Sequence, residues 1–286
     1  MESASDASDT PFDRMLRRIR RDRAAPRWAD HAFLQAHMAT ELTERLAMVQ
    51  RDFSHALILG YAGKELPRAL EAMGIAAVTA DPGYALAKAA GGVQCDEDRL
   101  PFADASFDLV IAAGTLDTVN DLPGALALIR RSLRPDGLFL GAFLGSGSLP
   151  VLRRAMMEGD LTGNISAPRI HPQIDIRAAG DLLGRAGFAL QVADGERLEV
   201  RYAGLSRLVA DLRGSANSNL LRAPPVTRMA LAAAHAIFDA RQSEGKTAET
   251  FEIVYLTGWA PAPDQPKPAA RGSGTASLAD VLKNRG

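Results

Sequence analysis

Between residues 55 and 144 the chain switches repeatedly from short apolar runs to amphipathic stretches, and this alternation limits its architecture more than any other feature. His55–Leu59, Ala76–Ala80, Gly92–Cys95, Phe107–Ala112 and Gly137–Leu144 read as buried strands. Helical spacing fills the gaps at Glu65–Met73, Tyr84 to Ala90 and Leu122–Leu133. A strand that rejoins its sheet through a helix does so by a right-handed crossover. The segment therefore predicts a doubly wound α/β fold, a mostly parallel sheet covered on both faces.

Past Leu144 the alternation loosens. Residues 149–160 read as helical, and 163–176, with Pro168 and Pro172, as a loop. Arg177–Ala186 reads as a helix closed by Gly187, and Phe188–Val192 as a strand. A mostly helical insertion over 202–245 precedes a last strand at Phe251–Gly258. Residues 33–50 are a helix leading into the core. The divisions that follow are a basic helical arm over 1–44, a core domain over 45–260 and a Pro/Gly-rich tail over 261–286. The tail and the acidic residues 1–11 carry too little apolar surface to offset chain entropy.

The arm places Arg14, Arg17, Arg18, Arg20, Arg21, Arg23 and Arg27 around Met15, Leu16 and Ile19. It reads as a short helix with a solvated face; a surface for an anionic ligand, or for peripheral contact with a membrane, is the other reading. With 33 basic and 34 acidic side chains the chain has no overall field that would draw it to nucleic acid. Its single cysteine, Cys95, excludes an intramolecular disulfide framework. No apolar run approaches the roughly 18–20 residues of a membrane span, and the expectation is a cytoplasmic protein without a transmembrane segment.

Chemistry-bearing residues gather at the ends of successive strands. Gly60 ends the first, where backbone can approach a ligand without a Cβ in the way. Asp81 ends the second, 21 residues on, a spacing suited to a carboxylate accepting from two ribose hydroxyls. Asp96-Glu97-Asp98 ends the third, where a carboxylate can meet an adenine amino group. Asp117 would sit at the pocket mouth, as a general base or as a solvated helix cap. His171 reads as a loop histidine, with substrate contact as the alternative. The five histidines show no metal spacing, and Trp28 and Trp259 read as packing anchors.

Leu100-Pro101-Phe102-Ala103-Asp104-Ala105-Ser106-Phe107-Asp108-Leu109-Val110, followed by Leu133-Arg134-Pro135-Asp136-Gly137, resembles the class I S-adenosylmethionine-dependent methyltransferases. The resemblance implies a Rossmann-like, seven-stranded sheet with an antiparallel last strand, and it places Gly60, Asp81 and Asp96 or Glu97 around the methyl donor. A narrower resemblance spans nearly the whole chain. Phe12-Asp13-Arg14, Val119-Asn120-Asp121-Leu122-Pro123, Leu182-Leu183-Gly184-Arg185-Ala186-Gly187-Phe188, Thr250-Phe251-Glu252-Ile253 and Gln265-Pro266-Lys267-Pro268 are similar to the mitochondrial complex I assembly factor 5 proteins and their bacterial relatives. That family implies a donor-type cofactor and modification of an arginine on a respiratory-complex subunit, by hydroxylation rather than methylation.

The chain departs from this pattern at the methionine end of the donor site. The family's acidic-x-Gly-x-Gly-x-Gly is here Ile58-Leu59-Gly60-Tyr61-Ala62-Gly63-Lys64, with Ile58 at the acidic position. Gly63 restores the turn if the loop shifts by one residue, and Lys64 reads as a solvated first-turn lysine, with pairing to the ligand carboxylate as the alternative. The family's His-Trp is Asp117-Thr118, the pair expected to face the acceptor. The expectation is an S-adenosylmethionine-dependent methyltransferase-like protein that acts on a protein substrate, linked to complex I assembly, with donor binding weakened or lost. A non-catalytic assembly factor and an arginine hydroxylase are the alternatives; no iron-binding triad is visible.

Overall fold

A computed structural model describes residues 10–263 and 265. The predicted disorder of residues 1–9 and of the tail beyond 265 lies outside the described residues. Three helices, α1 (Arg14–Ala24), α2 (Trp28–His31) and α3 (Phe33–Ala47), precede the first strand. The alternating region then runs β1 (His55–Leu59), α4 (Glu65–Ala72), β2 (Ala76–Asp81), α5 (Tyr84–Ala89), β3 (Val93–Gln94), β4 (Phe107–Ala113), α6 (Leu122–Ser132) and β5 (Leu133–Leu144). The rest is α7 (Pro150–Leu161), α8 (Ile176–Arg185), β6 (Ala189–Tyr202), α9 (Leu205–Gly214), α10 (Arg228–Asp239) and β7 (Thr247–Trp259).

The seven strands form one sheet in the order β3-β2-β1-β4-β5-β7-β6. From β3 through β5 neighbours are parallel, and β7 runs antiparallel between β5 and β6. The sheet is the Rossmann-like one of class I methyltransferases. Period-two alternation along the central strands builds its two cores. Ala56 and Ile58 of β1, Leu109 and Ile111 of β4, and Leu138 and Leu140 of β5 pack with α3 on one face. Leu57, Leu59, Val110, Ala112, Phe139 and Phe143 fill the other, against α6 and α8.

Several elements are longer or more broken than their apolar patterns suggest. β6 and β7 extend into a ribbon paired from Ala189↔Trp259 to Tyr202↔Thr247. The outer residues of β6 alternate exposed Arg197, Glu199 and Arg201 with half-buried Leu198 and Val200, an alternation too short and too charged to stand out as a buried strand. The insertion is two helices, α9 and α10, separated by an irregular stretch over 215–227. Among the described residues no helix is long and apolar enough to cross a membrane.

The arm is tied to the sheet at both ends. Asp13 caps α1 by accepting from the Leu16 amide at 2.9 Å, and the Phe12 amide donates to Asn120 Oδ1 at 2.8 Å. At the other end α3 buries Leu34, Met38, Leu42 and Leu46 in the core. Between these anchors α1 lies across the carboxyl ends of the strands. At the opposite edge Asp108 accepts from the amides of Ser54 and His55 at 2.9–3.1 Å and from Ser54 Oγ at 2.7 Å, fixing the entry to β1. Asp108→Ala should lower stability by about 1.5–3 kcal/mol in denaturant unfolding, the usual worth of hydrogen bonds to a charged group.

Candidate functional site

Arg14, Arg17, Arg18 and Arg21 follow i, i+3, i+4, i+7 spacing, which sets them on one face of α1. That face meets the acidic strand ends. Arg21 Nε and Nη2 donate to the two oxygens of Asp81 at 2.8 and 2.6 Å. Arg17 makes the same fork onto Glu97 at 2.7 and 2.9 Å. Arg18 reaches Asp96 at 2.6 Å, and Arg14 holds Asp98 at 2.6 and 2.5 Å. The expected solvated face is corrected here: Arg17 and Arg21 are each only 5% exposed, because four carboxylates at the strand ends require partners.

Each carboxylate has its own surroundings. Asp81 also accepts from the Gly83 amide at 2.7 Å and the Tyr61 amide at 2.8 Å, so both its oxygens are fully engaged. Gly83 lets α1 come this close, since a Cβ there would meet the Arg21 Cβ at 2.6 Å. Asp96 Oδ1 is buried without a hydrogen-bond partner among the described residues. Burial opposes the charge on Arg17, yet Glu97 and Asp96 outweigh it and raise its pKa above the ordinary guanidinium value. Burial likewise pushes the Asp98 carboxyl up, and the Arg14 guanidinium more than reverses this, holding it below the usual range. Burial, with Glu97, Asp96 and Asp81 nearby, pushes the Cys95 thiol up to about 12.

The glycine loop leaves β1 with Gly60 at φ +87° and Gly63 at φ +102°. A Cβ on Gly60 would collide with the Thr115 methyl group, so that side of the turn is already filled. Ile58 and Ala62 are buried in the apolar cluster under α3, and no carboxylate stands at Ile58. Lys64 is exposed at the start of α4. Trp28 packs between the Arg21 guanidinium, 5.3 Å from the ring centroid, and the Tyr61 ring at 5.9 Å, the anchoring role expected of it.

Asp117 and Thr118 lie in a short turn after β4 and point to different partners. Thr118 Oγ1 accepts from Arg17 Nε at 3.1 Å, so this hydroxyl serves the arm rather than facing an acceptor. Asp117 Oδ2 is 3.5 Å from His171 Nε2, with both side chains 5% exposed. His171 is thus a loop histidine, as expected, but a buried one, and Phe12 packs edge-on against its ring at 5.7 Å. Neither His171 nitrogen has a hydrogen-bond partner among the described residues. Among those residues no group of three His, Cys, Asp or Glu side chains could hold a metal ion.

The family described as "Methyltransferase domain" matches residues 59–141. Over 95% of its length the chain is 33% identical to the mitochondrial arginine-hydroxylase NDUFAF5 of Danio rerio, covering 89% of that protein. The chain belongs to the NDUFAF5 family. It is also 31% identical to a malonyl-[acyl-carrier protein] O-methyltransferase of Halorhodospira halophila, over 87% of this chain and 88% of that one. A solved Bacillus halodurans structure, titled as a candidate methyltransferase, superposes with a TM-score of 0.55 at 15% identity. That likeness covers 78% of this chain and 99% of the other, and it speaks for the fold alone.

In this NDUFAF5-family chain Asp81, Asp96 and Glu97 all meet one face of α1, Gly60 opens the loop whose Tyr61 amide donates to Asp81, and Gly63 lines a separate cavity beside Trp28. An S-adenosylmethionine donor needs the Asp81 oxygens free for ribose hydroxyls, and here they are engaged four times over. With α1 docked, the residues do not fit the donor. Sequence reasoning singled out the arm arginines but did not pair them with the strand-end carboxylates. Their i, i+3, i+4, i+7 spacing was visible, and an acidic counterpart stood at the end of each neighbouring strand.

Breaking one buried pair leaves its partner uncompensated. Arg17→Met should cost about 3–5 kcal/mol in denaturant unfolding, and adding Glu97→Gln should recover most of it. The Arg14–Asp98 contribution is fully present above the ordinary carboxylate value and is lost as pH falls through the lowered value of Asp98. Denaturant unfolding should thus show that contribution intact from pH 7 down to about 4 and fading below that, and Asp98→Asn should remove this pH-dependent part. With its thiol pushed up to about 12, Cys95 should be alkylated at pH 8 at least about a hundredfold more slowly than free cysteine.

Proposed function

We propose that this chain modifies a side chain of a partner protein using S-adenosylmethionine, which enters only after α1 has left the strand ends. The observation that carries the reading is that α1 sets a guanidinium on each carboxylate the donor would use. Asp81, Asp96 and Glu97 keep the type and position that suit an adenosine, beyond the carboxyl ends of successive parallel strands. The methyltransferase-domain match and the malonyl-[acyl-carrier protein] O-methyltransferase relative support a donor of this kind. The name of the arginine-hydroxylase relatives makes an arginine the first acceptor to test, and the resemblance to complex I assembly factors makes a respiratory-complex subunit its first carrier.

A closed arm weakens apparent affinity by the fraction of molecules that are open. If docking is worth about 3 kcal/mol, the loss is about a hundredfold. A second reading, a non-catalytic assembly factor that retains the fold, is favoured by Ile58, which puts an apolar core side chain where the donor's ammonium needs a carboxylate.

Titration calorimetry separates the two. The native chain should bind S-adenosylmethionine with a Kd weaker than about 100 μM, and Arg17→Met/Arg21→Met should tighten it at least about tenfold. Adding Asp81→Asn should abolish that gain. Absence of binding by the native chain and by the folded double variant would leave the assembly-factor reading standing.

A further inference from the structure

The remaining arginines of the arm face a different part of the molecule. Arg20, Arg23 and Arg27 line a cavity of about 630 Å³ together with Arg169 and Arg213. Among the described residues Arg169 alone of these five is ion-paired, to Asp160 at 2.6 Å. Arg20 donates to the Asn219 carbonyl, and burial together with Arg213 and Arg23 lowers its pKa. Apart from Asp160 on Arg169 and Asp13 near Arg20, like charges have been gathered here, at a cost that an anion would reduce.

This basic cavity adjoins an apolar one. A space of about 390 Å³ lies between α7, α9 and the loop carrying His171, walled by Leu152, Met156, Val209, Leu212 and Leu231. The two spaces share Met156, Arg169, Arg213, Ser218, Asn219 and Val226 as walls. His171, 4% exposed and with neither nitrogen hydrogen-bonded among the described residues, contributes to the apolar one. The volume falls within the few hundred Å³ usual for a small-molecule site.

We propose that the joined cavities bind a free, single-chain amphiphilic anion, with its apolar chain among Leu152, Val209 and Leu231 and its carboxylate or phosphate head among Arg20, Arg23, Arg27 and Arg213. Charge complementarity selects the head, and the apolar walls select the chain. The site shares no residue with the strand-end carboxylates, so it goes beyond the donor reading and stands or falls separately. Because Arg20 and Arg23 lie on α1 and Arg27 in the turn after it, while Arg213 is in the last turn of α9, a bound anion bridges the two and holds the arm down.

The test is calorimetric titration of the full chain with dodecanoate and dodecyl phosphate below their micelle concentrations, beside dodecanol, inorganic phosphate and phosphatidylglycerol vesicles. Both anionic amphiphiles should bind saturably at one per chain, and dodecanol at least tenfold more weakly. Inorganic phosphate should show no saturable binding at the same concentrations. Arg23→Gln/Arg213→Gln, at exposed positions, should weaken dodecanoate at least tenfold and change dodecanol less than twofold. Leu231→Trp should fill the apolar space and weaken both; Val226→Trp serves if that variant fails to fold.

No saturable binding to the native chain would overturn the proposal, as would equal affinity for dodecanol and dodecanoate. Dodecanoate binding untouched by a folded cavity-filling variant would overturn it too. Binding to vesicles alone, lost in the arginine variant and kept in the cavity-filled one, would make the arginines a membrane surface and also overturn it.

Discussion

The fork between Arg21 and Asp81 is the contact on which the rest of the site depends. An aspartate fully removed from solvent needs every lone pair satisfied, and this one gets two donors from the glycine loop and the turn after β2, and two from α1. The same requirement recurs at Glu97 and Asp98, so α1 has one register that sets a guanidinium on every carboxylate, although Asp96 Oδ1 has no hydrogen-bond partner among the described residues. Buried ion pairs add little net stability over apolar packing, but breaking one of them is costly. The ladder therefore fixes where the arm sits more than it strengthens the fold. The strength comes from the two apolar layers on either face of β1, β4 and β5.

This placement changes what the strand ends mean. In an open parallel sheet the crevice beyond the carboxyl ends is where ligands bind. Here a segment of the same chain supplies guanidiniums to that crevice, and its other face supplies the unpaired arginines of the adjoining cavities. One helix thus faces two sites. A ligand at the strand ends competes with α1, whereas an anion on Arg20, Arg23 and Arg213 retains it. The coupling between the sites would be negative and reciprocal.

The central sheet was legible because strands buried on both faces read as continuous apolar runs, and Asp81 and Asp96 could be placed by strand order alone. The arm was only half legible. Spacing put Arg14, Arg17, Arg18 and Arg21 on one face, but which surface that face meets depends on how α2 and α3 turn the chain back over the sheet. The meeting of Asp117 with His171 joins positions 54 residues apart through a loop without periodicity, which no local pattern reports. The outer half of the β6–β7 ribbon was missed for a different reason: charged Arg197, Glu199 and Arg201 separate the few apolar residues, Leu198, Val200 and Tyr202, that pack on the core.

The central claim is that α1 and the donor exclude one another at Asp81 and Glu97. Hydrogen–deuterium exchange of the α1 amides, with and without saturating S-adenosylmethionine, tests it most directly. The account predicts that donor binding speeds exchange across Arg14–Ala24 while the amides of β1 and β4 remain protected. Saturation by the donor with α1 equally or better protected would mean that arm and ligand share the crevice, and would contradict it.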